Sequence, residues 1–199
     1  MAYRHVYATR LNAFRADAAR AFSGRIGTPD LVARAATVPG LAAVDLNFPD
    51  HLEGTSPAEL RAMLAALGLG LNGLAMRYYA DPGFRAGALA HPDAAIRRKA
   101  IDLTRRGLDA LREAGGTLMT LWLGQDGFDY PFQADYARLW DAAAEALSAL
   151  AAHDPGLDLS LEYKPDEPRA FALLPDAATT LLMIAEVGAP NLGVTLDFA

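Results

Sequence analysis

The chain of 199 residues contains no cysteine. That excludes disulfides, thiolate metal sites and catalysis by a thiol. Positive charge is in short supply: 18 Lys and Arg stand against 24 Asp and Glu, for a formal net charge of −6 and an isoelectric point near 5.1. Such a surface repels phosphate backbones, so nucleic acid is not an expected partner. Long hydrophobic runs are also missing. The most apolar stretch, "FALLPDAATTLLMIAEVG", is broken by Pro175, Asp176 and Glu186. Nothing in it has the length of a membrane span, and the first residues, "MAYRHVYATRLNAF", lack the apolar core of a signal peptide. No membrane partner and a cytoplasmic location are therefore expected. What is present is a globular balance, 52% hydrophobic and 21% charged, in a chain long enough for one domain, residues 1–199, with a real core.

Short apolar runs alternate with longer amphipathic ones. "HVYATR", "LAAVDLNF", "LGLNGLAM", "TLMTLWLG", "LDLSLEYK" and "LGVTLDFA" read as strands. Helical patterns separate them. "TPDLVARAATV" offers Thr28 as N-cap and Pro29 at the first helical position. "SPAELRAMLAALG" has Ser56, Pro57 and Glu59 in capping-box spacing and closes on Gly68. "HPDAAIRRKAIDLTRRGLDALREAGG", "FQADYARLWDAAAEALSALAAH" and "LPDAATTLLMIAEVG" complete the set. His5 falls at the start of the first strand and His91 at the start of a helix, where structural roles are expected.

This alternation predicts right-handed βαβ units and a parallel sheet. The first strand–helix turn, "TRLNAF", has no glycine, which argues against a dinucleotide-binding doubly wound sheet. The expected class is α/β, of the (β/α)8 TIM-barrel type. A full barrel takes about 250 residues, so about six parallel strands and about five helices of an incomplete barrel are expected here.

Residues two apart in a strand share a face. Glu162 with Lys164, Thr195 with Asp197, Asp45 with Asn47, and Thr120 with Trp122 therefore pair on common faces near strand ends. Barrel active sites gather at the C-terminal ends of the strands. Two opposite charges on the inner face of a core strand are costly unless they serve a function, which singles out Glu162 and Lys164. Asp45 and Asn47 read more readily as strand-end residues that pair with loops. Asp126 and Asp129 lie in the loop after the fourth strand, where one could meet a substrate or brace a turn. His51 follows the second strand near the same expected mouth, and Arg169 reads as a salt-bridge partner of a nearby carboxylate.

The segments "WLGQDGFDYPFQADY", "LEYKPDEPRAF" and "GVTLDFA" resemble the xylose isomerase-like superfamily of TIM barrels, which holds sugar isomerases and epimerases. The nearest likeness is to the L-rhamnose isomerase-like branch, with its Trp-bearing strand, Asp-Gly loop and Glu-x-Lys-Pro-x-Glu-Pro segment. The resemblance implies a divalent metal, Mn, Mg or Co before zinc, held by Glu162 and Asp197. It implies that Lys164 polarises substrate oxygens and that Trp122 forms an apolar wall against a small-molecule sugar. By their place near the expected mouth, Asp126 and His51 are candidate substrate contacts, with turn bracing and loop packing as the alternatives. Where a base operates, Glu162 could combine that role with metal ligation.

The family pattern adds a His and a carboxylate on strands seven and eight. This chain stops two residues after Asp197, so a C-terminally truncated, inactive form is expected, with an open sheet edge that invites a second copy. The expected function is metal-dependent aldose–ketose isomerisation or sugar epimerisation. The alternatives are a metal-dependent phosphoesterase of the abasic-endonuclease type and a non-catalytic barrel fragment.

Overall fold

The computed structural model describes residues 6–15 and 26–197, so His5 lies outside the described residues. Six strands follow one another in a single sheet in chain order: β1 (Tyr7–Arg10), β2 (Leu41–Phe48), β3 (Gly70–Met76), β4 (Leu118–Trp122), β6 (Asp158–Glu162) and β8 (Leu192–Thr195). The sheet is parallel. Two further strands of two residues each, β5 (Gly127–Phe128) and β7 (Phe171–Ala172), pair antiparallel as a separate ribbon. The described helices are α1 (Thr28–Ala35), α2 (Pro57–Ala66), α3 (Ala94–Ala114), α4 (Tyr136–Ala151) and α5 (Ala177–Val187). The expected α/β order of parallel strands separated by helices is the order found. By contact the chain falls into two compact units, Met1–Ala75 with Asp109–Leu118, and Met76–Leu108 with Met119–Ala199.

In the first unit, the start of α1 differs from the expected cap. Gly27, not Thr28, is the N-cap residue, and the Asp30 carboxylate accepts the Gly27 N–H at 2.9 Å. The Thr28 hydroxyl is thereby free to reach across the fold, and it donates to the His51 carbonyl at 2.6 Å. The α2 cap is the expected one. Ser56 Oγ accepts the Glu59 N–H at 3.2 Å, and Glu59 accepts the Ser56 N–H at 2.8 Å. The Ser56 N–H and the Ser56 hydroxyl, at 2.7 Å, both donate to the Glu59 carboxylate and hold it below the usual carboxylate range. Gly68, at φ +70, ends the helix in the left-handed region that glycine enters without strain.

In the second unit, β4 shows the strand period plainly. Met119, Leu121 and Leu123 are buried, while Thr120 and Trp122 on the opposite face are half-buried. Leu159 and Leu161 of β6 are buried, as are Leu139, Ala143, Ala146, Leu147 and Leu150 along α4. Recurrence at three and four residues places that α4 stripe on one helix face. Asn191 ties the end of α4 to the start of β6, donating to the carbonyls of Ala151 at 3.1 Å and Leu157 at 2.9 Å. Asp176 caps α5 by accepting the Thr179 N–H at 2.7 Å, and Gly188 at φ +66 closes it. Among the described residues no helix is long and apolar enough to cross a membrane.

Candidate active site

The two carboxylates of interest come from neighbouring parallel strands in the second unit. Glu162 ends β6 and stands in register with Thr195 of β8. Ser160 and Thr195 share a hydrogen bond at 2.5 Å, which puts them on one face of the sheet. Glu162 is two residues from Ser160 within β6, so it shares that face by the strand period and stands at the C-terminal end of β6. Asp197 lies two residues past the end of β8.

Lys164 is the centre of this group. Its ammonium lies 3.7 Å from the Asp197 carboxylate and 3.9 Å from the Glu167 carboxylate. It also lies 5.6 Å from the centre of the Trp122 ring, a cation–π distance. The Lys164 and Asp197 side chains are each about one-third exposed, so water reaches both. Trp122 in turn meets Tyr79 edge-on, with ring centres 5.2 Å apart, and the Arg77 guanidinium lies 4.1 Å from the Tyr79 ring centre. Gly124 makes room for the indole: a Cβ there would collide with the Trp122 ring. Tyr79, Trp122, Gln125, Glu167 and Pro168 line a cleft of about 450 Å³.

Asp126 follows this wall and is buried, at 1% exposure. Its Oδ1 accepts the N–H groups of Ala88 at 2.9 Å and Ala90 at 2.7 Å, and its main-chain carbonyl accepts the Leu173 N–H at 3.0 Å. The structure thus places this expected substrate contact against the backbone of two other segments. Burial pushes its carboxyl up to about 6, against the opposing pull of the 88–90 N–H groups and the Arg169 charge. Asp129, the other acid of the loop, pairs with Arg169 at 3.1 Å. The β5–β7 ribbon carries a stack of rings, with Phe128 4.6 Å from Tyr136 and 5.0 Å from Phe171. It joins the loop after β4 to the end of the loop that bears Lys164 and Glu167.

His51 belongs to the first unit. It is buried at 3% exposure, its Nδ1 accepts the Asn47 N–H at 2.9 Å, and it lines a cleft with Thr28, Asp50 and Glu53. Asp45 of the same unit accepts from the Asn72 amide at 2.8 Å, and burial raises its carboxyl. In the second unit the structure brings together Lys164, Asp197 and Trp122, and Glu162 ends the strand that pairs with β8. Among the described residues no three His, Asp or Glu side chains converge as an ion site. Two lining residues, Tyr79 and Gln125, are not singled out by the sequence. Their only local signals are an aromatic just past β3 and an amide three residues after Trp122.

The sequence pattern of the xylose isomerase-like TIM barrel family matches residues 32–199. The chain belongs to that family. This xylose isomerase-like chain is 27% identical over 173 residues to the xylose isomerase of Thermus thermophilus, a match that covers 80% of the chain and 45% of the relative. It is 27% identical over 152 residues to a probable sugar isomerase of Mesorhizobium japonicum, covering 73% of the chain and 35% of that protein. The chain thus spans less than half the length of these curated relatives. Its fold matches a D-allulose 3-epimerase from Methylomonas sp. solved with D-allulose, at a TM-score of 0.70 and 20% identity, over 95% of this chain and 61% of that one.

Proposed function

We propose that this chain carries part of the active site of a metal-dependent sugar isomerase or epimerase. The observation that supports it best is the position of Lys164, with its ammonium 3.7 Å from Asp197 and 5.6 Å from the Trp122 ring centre, beside a carboxylate on the same sheet face. Glu162 and Asp197 are hard oxygen donors of the kind Mg²⁺ and Mn²⁺ take, and they would hold the ion. A bound divalent ion would supply Lewis acidity toward neighbouring sugar oxygens. Lys164 stabilises an oxygen that gains negative charge, because its ammonium is already held at the strand ends by two carboxylates. Trp122 and Tyr79 offer apolar faces to the C–H side of the sugar and exclude water there.

Two carboxylates are a thin set for an ion that takes about six partners. Weak metal binding and no appreciable turnover are therefore expected of the chain by itself. The test is linkage: an ion that shares the sugar's oxygens must bind more tightly when the sugar is present, and the reverse. Mn²⁺ affinity is measured by electron paramagnetic resonance with and without D-xylose, D-fructose, D-tagatose, D-allulose and L-rhamnose. A tightening by at least one sugar is expected. Mn²⁺ binding indifferent to all five contradicts the reading.

A further inference from the structure

We propose that Gln125 is a specificity-determining residue of the Trp122 cleft, its amide oxygen accepting a hydrogen bond from one hydroxyl of a neutral, polyhydroxylated ligand stacked on the indole. This rests on the sugar-site reading above and assigns one of its walls.

The first observation is an orphaned acceptor. Gln125 Oε1 is buried and has no donor among the described residues. Buried amide oxygens are nearly always paired, because an unpaired one forfeits its hydration without recompense. The side chain lines the cleft with Tyr79, Trp122, Glu167 and Pro168, so a turn of the amide about its last side-chain bond lets a molecule in the cleft bring the missing donor.

The second observation is that the backbone under Gln125 is fixed from both sides. Gly124 lies against the Trp122 ring, where no side chain would fit. Asp126 is clamped to Ala88 and Ala90 through Oδ1, to Leu173 through its carbonyl, and to the Leu123 carbonyl through its own N–H at 2.9 Å. A polar group presented from so constrained a segment can discriminate between hydroxyl positions, because it does not move to follow a misplaced one.

The third observation concerns charge. Of the described lining residues only Glu167 is charged, and its charge is negative. The cations beside this wall are already engaged, Lys164 by Glu167 and Asp197 and Arg77 by the Tyr79 ring, so the lining offers a phosphate or carboxylate no uncommitted positive charge. Two aromatic rings, an amide and a carboxylate instead suit a neutral polyol with one apolar face and several donors.

The chain has two tryptophans, and Trp140 donates its indole N–H to Glu186 at 2.7 Å, away from this wall. Trp140→Phe therefore leaves Trp122 as the sole indole reporter. In that background, fluorescence titrations use D-fructose, D-tagatose and D-allulose, with and without Mg²⁺, followed by the monodeoxy analogues of the tightest of the three. Gln125→Met keeps the side-chain length and removes the acceptor; Gln125→Glu keeps an acceptor. The expected result is a Kd about ten-fold higher in Gln125→Met for the intact sugar. One deoxy analogue should bind the parent and Gln125→Met equally, and Gln125→Glu should keep the preference for the intact sugar over that analogue.

Identical affinities of parent and Gln125→Met for all three sugars, or loss of that preference in Gln125→Glu, overturn the role of Gln125 and leave the sugar site standing. A Trp122 signal that responds to none of the sugars overturns the sugar reading, and this assignment with it. If Gln125→Met does not fold by circular dichroism, the comparison of parent with Gln125→Glu decides.

Discussion

The Lys164 ammonium lies 3.7 Å from the Asp197 carboxylate, so the cation that would stabilise a substrate oxygen would also compete with a metal for that proposed ligand. Removing it should ease ion binding while it harms catalysis. We expect Lys164→Met to bind Mn²⁺ as tightly as the parent or several-fold tighter, since a neighbouring positive charge is gone. Isothermal titration calorimetry measures this. Weaker Mn²⁺ binding in the variant would mean that Lys164 organises the carboxylates and does not oppose the ion.

Asp126 should leave a signature in the pH dependence of stability. Burial raises its carboxyl to about 6 in the folded chain, above the ordinary value of an unfolded aspartate. The folded form then binds the proton more tightly. Its stabilising contribution is fully present below about pH 4 and is lost as pH rises through about 6. Asp126→Asn keeps an oxygen for the Ala88 and Ala90 N–H groups and cannot ionise. Urea denaturation of parent and variant at pH 4, 5, 6 and 7 should show the variant gaining on the parent across that window. A stability difference that stays constant with pH would place the titration elsewhere.

Gly124→Ala should cost about 1–3 kcal/mol, the usual range for forcing a methyl into a packed site, because the new Cβ collides with the Trp122 ring. The emission of Trp122 should shift at the same time, as the indole is pushed out of the cleft. Denaturation with fluorescence detection reads both. Unchanged stability with unchanged emission would show that the ring lies elsewhere.

Much of the fold is written locally. The Ser56–Glu59 capping box, the glycines at 68 and 188, and the period-two alternation of Met119, Leu121 and Leu123 need only a few neighbouring residues to be read. So do the charged strand ends, since Glu162 and Lys164 are separated by a single residue. The β5–β7 ribbon was not legible, because two-residue strands have no periodicity and its partners lie over forty residues apart. The depth of Asp126 was hidden for the same reason. A glycine-flanked acid reads as a turn residue, and only the folded chain brings the 88–90 backbone to it. Tyr79 and Gln125 share a wall that no spacing rule connects.

The central claim is that Glu162 holds a divalent ion at the ends of β6 and β8. Calorimetric titration of the parent and Glu162→Gln with Mn²⁺ tests it most directly, since the amide keeps the shape and removes the charge. The account predicts one weak site per chain in the parent and an affinity at least about ten-fold lower in the variant. Equal Mn²⁺ affinity in the two proteins would contradict it.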